Sequence, residues 1–138
     1  MDALSDVLKS VRLEGAVYLN AEFTAPWCVQ AKYGLASVRE RLAGAEHVVF
    51  FHFVTEGNFK VHVADGVAAL DVAAGDLVLF PQDDKQLMGS NLHLAPVEAN
   101  SLLGADGGAD ADIIQIRHGG GGAATRMVCG YLACSRSL

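Results

Sequence analysis

From His47 to Pro81 the chain alternates short apolar runs with turn residues at close, regular intervals. A run through Thr55 is followed by Glu56-Gly57-Asn58, residues 59–63 by the hairpin signal Asp65-Gly66, and residues 67–72 by Ala74-Gly75-Asp76. The run 77–80 then stops at Pro81, which has no N–H to give to a ladder. Short strands at this spacing predict a β-sandwich or barrel.

The flanking sequence adds strands and one helix. Val17, Leu19, Ala21 and Phe23 recur with period two on one face, with Tyr18, Asn20 and Glu22 on the other, which predicts a strand. Before it, Leu4, Val7, Leu8 and Val11 follow Asp2 at helical spacing and precede Gly15, which predicts a short amphipathic helix. Residues 34–43 carry approximate helical spacing at Leu35, Val38 and Leu42, read as a helical turn or an irregular excursion. Residues 95–110, rich in Ala, Gly, Asp and Ser, are expected to form a mobile surface loop. Two final strands, 112–117 and 125–133, flank His118 and four consecutive glycines. No internal repeat and no linker divides the chain, so residues 1–138 are read as one domain.

Composition narrows the function classes. With 51% hydrophobic and 19% charged residues, the chain has the makings of one packed core and not of a disordered tract. A net charge of −6 and no basic stripe argue against nucleic-acid binding by this domain. The apolar run 48–54 is interrupted by His52 and is too short to span a bilayer, and residues 1–9 lack a signal peptide's basic start, so a cytoplasmic protein without membrane attachment is expected. Three cysteines, Cys28, Cys129 and Cys134, show no C-x-x-C spacing and are read as reduced thiols.

The stretch 75–90 resembles the second cupin motif, in which a glycine is followed at fixed intervals by proline, glycine, histidine and asparagine. Here that register holds Gly75, Pro81, Asp83, Gln86 and Ser90, so Gln86 replaces the histidine and Ser90 the asparagine. Counting back from Gly57, the closing glycine of the first motif, places Phe50 where a metal-binding glutamate is expected, and no H-x-H pair lies upstream. Nearly the whole chain also resembles the cupin-like N-terminal domain of AraC-type transcriptional regulators. The blocks that carry this likeness are residues 2–8, Ala25-Pro26-Trp27-Cys28, residues 51–57, residues 74–81, and the tail Arg117-His118 to Gly122, Thr125-Arg126 and Cys129-Gly130-Tyr131-Leu132. The family's P-H-x-D-x-H loop reads Pro81-Gln82-Asp83-Asp84-Lys85-Gln86 here, without either histidine.

The resemblance implies an all-β, cupin-like double-stranded β-barrel, or jelly roll, with a short N-terminal helix. It also implies a domain that senses a small-molecule effector, normally joined in cis to a helix-turn-helix DNA-binding domain that is absent from these residues. The chain is thus expected to be a truncated regulator or a stand-alone sensor.

Within that frame His52 is the leading candidate. Period-two alternation puts it on the face of Phe50, which the cupin register makes the barrel interior. An interior imidazole serves as ligand contact, metal ligand or proton-sensitive group, or simply as a hydrogen-bonded core histidine. His52, Gln86, Cys129 and Trp27 are the expected ligand contacts. His52, His118 and Cys129 form a possible zinc set, since zinc accepts imidazole and thiolate donors, although Cys129 also reads as a small buried hydrophobe. The glycine run is either an anion cradle or a turn. Trp27, three tyrosines and six phenylalanines are either pocket walls or core. The leading expectation is a non-enzymatic sensor. The alternatives are a metal-dependent cupin enzyme, a dioxygenase or isomerase, and an interaction module forming a two-fold homodimer.

Overall fold

A computed structural model of the chain describes residues 3, 11–31, 44–45, 47–63, 68–80, 85–102 and 113–136. Its strands are β1 (Val11–Thr24), β2 (Cys28–Ala31), β3 (His47–Glu56), β4 (Asn58–His62), β5 (Leu70–Ala73), β6 (Leu77–Phe80), β7 (Gln86–Gly89), β8 (Val97–Glu98), β9 (Ile114–Gly119) and β10 (Ala124–Arg136). They form two five-stranded sheets, β6-β3-β10-β1-β9 and β5-β4-β7-β2-β8. Most neighbours are antiparallel, while β9 runs parallel to β1 and β8 parallel to β2. This two-sheet, all-β architecture agrees with the sandwich or barrel that the strand spacing predicts and with the jelly roll that the resemblance implies.

Alternation builds the core. Phe50, His52 and Val54 on β3 are buried, as are Phe59 and Val61 on β4 and Ile114 and Ile116 on β9. Each pleat sends every second side chain to the same face, so these residues meet between the sheets. Val54, Val29, Val61 and Met127 are the most enclosed aliphatic side chains.

In β1 the alternation breaks. Val17 pairs with Gly130 and Leu19 with Cys129, so the register shifts by one residue at Tyr18. Such a bulge puts two successive side chains on one face. Tyr18 and Leu19 are accordingly both buried, whereas Val17 is exposed, the reverse of the expected placement for Val17 and Tyr18.

Two other expectations change. Val11 opens β1 rather than closing a helix, because it pairs with Arg136 of β10. Residues 95–102 are not featureless: β8 pairs with Val29-Gln30, and a 3-10 turn, Ala99–Leu102, packs Ala99 and Leu102 onto the core. Leu4, Val7, Leu8, residues 34–43, Asp65-Gly66 and residues 81–84 lie outside the described residues.

The outward face of the first sheet divides in two. One half is apolar, with Leu79 paired to Phe51, Leu77 to Phe53, and Val49 to Leu132. Leu77 is 55% exposed and Leu79 52%. The other half is ionic: Glu22 meets Arg117 at 3.3 Å and Arg126 at 3.2 Å, and Arg126 meets Glu56 at 3.3 Å.

Phe51 lies across its register partner Gly130. A Cβ at Gly130 would strike the Phe51 ring and come within 2.5 Å of the Ala16 carbonyl oxygen. Gly130→Ala is therefore expected to destabilise the fold by about 1–3 kcal/mol, the usual cost of overpacking. A urea midpoint unchanged from wild type would contradict this.

Candidate functional site

The β1–β10–β3 register aligns Leu19, Cys129 and His52 in one row across the sheet, all buried. Gln86, the first residue of β7, reaches the same row from the opposite sheet. His52 Nδ1 lies 2.8 Å from Cys129 Sγ, and His52 Nε2 lies 2.8 Å from Gln86 Oε1. Phe80 meets the imidazole edge-on, with ring centroids 5.2 Å apart.

These contacts assign the protons. An amide oxygen only accepts, so His52 Nε2 carries the hydrogen and donates it to Gln86. The lone pair left on Nδ1 accepts from the Cys129 thiol, and the three groups form one relay from thiol to imidazole to amide. Burial pushes His52 down to about 4, against the opposing pull of the Gln86 hydrogen bond. Burial likewise pushes the Cys129 thiol well above its ordinary value. The relay is neutral, and its sulfur is a thiol rather than a thiolate.

The relay forms part of the wall of an interior cavity. The remaining wall is mostly apolar, with Leu19, Ala21, Phe50, Ile116 and Met127, and it includes Tyr18 from the bulge and Ala99 and Leu102 from the 3-10 turn. About 40 Å³ is open to the centre of a water-sized sphere. That is room for about three waters.

Three of the four expected ligand contacts, His52, Gln86 and Cys129, therefore meet at one cavity. Trp27 does not join them. It is 1% exposed and stacks at 4.2 Å on Phe23, which lines the cavity while Trp27 itself does not. Its Nε1 is buried without a hydrogen-bond partner among the described residues, and Ser90 holds its main chain, accepting from Trp27 N at 2.8 Å.

His118 is not brought to His52 and Cys129. It pairs with Phe23 of β1, four residues along from Leu19, whose partners are Cys129 and Ile114. At about 3.3 Å per residue this is a separation of about 13 Å along the sheet. The donors present do not fit a zinc cage for a second reason. Cys129 and Gln86 occupy opposite nitrogens of one ring, so they cannot share an ion with it. Zinc bond lengths also place neighbouring N and S ligands about 3.6 Å apart, wider than this hydrogen-bond spacing. Among the described residues, no group of three His, Cys, Asp or Glu could hold a metal ion.

The glycine run is a turn. Gly120 N donates to Thr24 O at 2.9 Å, Gly121 N to Thr24 Oγ1 at 2.9 Å, and Gly122 N to Ala25 O at 2.8 Å. Those N–H groups are committed within the chain and are not free to cradle an anion. All three cysteines are free thiols.

A family model described as Cupin matches residues 2–138. The chain is a cupin. No curated protein matches it significantly. In this cupin Phe50 and Gln86, the two positions where ligands of a metal are expected from the motifs, both line the cavity, Phe50 packing edge-on against Tyr18 at 6.5 Å. Tyr18, one of the three tyrosines read as pocket wall or core, lines the cavity, but the bulge that turns it inward leaves no mark on a period-two pattern. Ala99 and Leu102 escaped the sequence reading, because the 3-10 turn sits in a stretch whose composition reads as loop. Met127 was legible, since it shares the inward face of β10 with Thr125 and Cys129.

The neutral histidine fixes a pH dependence. His52 titrates near 6.5 when unfolded and near 4 when folded, so the unfolded chain binds the extra proton first as pH falls. Stability is complete above about pH 6.5 and declines between there and pH 4, by up to about 3 kcal/mol. Urea midpoints across this range should show the decline in wild type and a flatter profile in His52→Gln. An equal slope in both would assign the effect to other groups.

Proposed function

We propose that this cupin is the non-enzymatic, effector-sensing domain of an AraC-type transcriptional regulator. The observation that carries the reading is the interior cavity walled by a neutral, mutually hydrogen-bonded His52–Cys129–Gln86 relay. Such a wall recognises and orients a small molecule. It holds no activated nucleophile, because burial keeps the thiol protonated and the imidazole uncharged. The reading needs no resident metal or other cofactor.

The sensor works in the cytoplasm on a small-molecule effector, and a DNA-binding unit in cis reads the operator. The acidic balance of the chain supports that division, since a basic surface must come from elsewhere. Regulation requires that the effector bind one state of the regulator better than another. In a regulator carrying this domain, effector addition is expected to change transcription about 5- to 150-fold, the ordinary range of allosteric coupling. Ala99→Phe, which fills the cavity from the 3-10 turn, should abolish that response while operator binding in a gel-shift assay persists. A full response in the filled variant sinks the sensor reading.

The apolar half of the outer sheet face favours a second role, as a contact between two copies of the domain. Isologous pairing would cover Phe53, Leu77 and Leu79 on both. Sedimentation at several concentrations should show a monomer–dimer equilibrium that Phe53→Lys abolishes; a wild-type monomer throughout removes this role.

A further inference from the structure

Cys134 of β10 and His47 of β3 are direct register partners. Both belong to the outward face of the first sheet. Cys134 stands two residues from exposed Leu132, and His47 leads the outward series Val49, Phe51 and Phe53. Cys134 is a half-buried free thiol and His47 is exposed, and neither takes part in the interior relay or lines its cavity.

Residues directly opposite on neighbouring antiparallel strands hold their Cβ atoms about 4.5–5.5 Å apart. Zinc's bond lengths and tetrahedral angles set neighbouring S and N ligands about 3.6 Å apart. Two side chains rising from one face close that difference by leaning together, so Cys134 and His47 match one edge of a zinc tetrahedron. A structural zinc takes four such ligands. Among the described residues no group of three His, Cys, Asp or Glu could hold a metal ion, so a single copy does not complete the set.

A second copy does. An isologous contact sets the same patch against itself. Two faces that meet in this way have their two-fold axis in the plane between them. Where that axis runs along the strands, between β3 and β10, each outward residue lies opposite its own counterpart. The apolar side chains of Val49, Leu132 and Phe53 then continue the contact from the His47–Cys134 end. Stacked sheets lie about 10 Å apart, which puts the midplane about 5 Å above each sheet, within reach of a cysteine sulfur and an imidazole nitrogen.

Resting on the pairing role of this face, we propose that two copies share one zinc ion, held by Cys134 and His47 of each. As the ion enters, each of the two thiols loses its proton to solvent, and two neutral imidazoles complete the shell. Two thiolates balance the charge of Zn²⁺, so the site is neutral overall, as its apolar border requires. Zinc then decides how firmly two domains pair.

Sedimentation of the chelator-treated chain at several concentrations, with and without zinc, tests this in the presence of a phosphine reductant that prevents disulfides. Free zinc about 100-fold above its dissociation constant should tighten dimerisation about 100-fold, at one zinc per two chains. Cobalt in place of zinc should give the thiolate-to-metal charge-transfer absorption of a tetrahedral site, which Cys134→Ser should lose. Cys134→Ser and His47→Gln should each lose the zinc effect and keep the zinc-free dimerisation of wild type; should Cys134→Ser not fold, His47→Gln alone decides. Dimerisation of wild type that zinc leaves unchanged, or a zinc effect that either folded variant retains, overturns the zinc bridge and leaves the apolar contact standing. A monomer at every concentration, with zinc and without, overturns both.

Discussion

The ladder between β1 and β10 governs the site. It pairs Val11 with Arg136 at one end and Thr24 with Ala124 at the other, and β10 in turn pairs with β3. The row Leu19–Cys129–His52 exists only in this register. A slip of one residue would send Cys129 outward and Gly130 inward, and the relay would lose its middle contact. The bulge at Tyr18 works within the same ladder: it restores the inward face of Leu19, Ala21 and Phe23 while turning Tyr18 toward Phe50.

Burial of the relay explains its chemistry. A lone imidazole at that depth would leave two polar atoms unsatisfied, at about 1–3 kcal/mol each. Cys129 and Gln86 satisfy one apiece. The same enclosure that demands those partners also keeps them neutral, since neither an imidazolium nor a thiolate recovers its hydration there. Gln86 is suited to this because its amide oxygen accepts without bringing charge. A carboxylate in that position would raise the histidine's affinity for a proton and put an ion pair in the cavity wall.

Much of this was legible in the sequence, and the rest was hidden for identifiable reasons. Strand spacing from His47 to Pro81 announced a sandwich or barrel, because turn residues interrupt short apolar runs at close intervals. Alternation around Phe50 placed His52 inward, and the motif register placed Gln86 beside it. Two aspects needed three dimensions. Trp27 reads as a pocket wall in one dimension, yet it stacks on Phe23 without itself lining the cavity. His118 and Cys129 flank the same glycine turn, but two strands leaving a turn diverge along the sheet. His118 stays beside Phe23 near that turn, while Cys129 lies further along β10, opposite Leu19. Closeness in sequence to a shared turn therefore misled about closeness in space.

The two faces of the first sheet are carried by the same strands. On β3, His52 faces the cavity while Phe51 and Phe53 face outward; on β10, Cys129 faces the cavity while Gly130 seats the Phe51 ring. The relay and the apolar surface are thus one residue apart on both strands. Adjacency alone does not couple them, because coupling requires an element with two arrangements that both sites bias. The packing restricts what such an element could be. Gly130 has no room for a Cβ between Phe51 and the Ala16 carbonyl, so β10 cannot shift toward either neighbour without displacing an outward-facing ring or breaking a ladder. A rearrangement at Cys129 large enough to move its backbone therefore has to be accommodated by the Phe51 ring on the outward face.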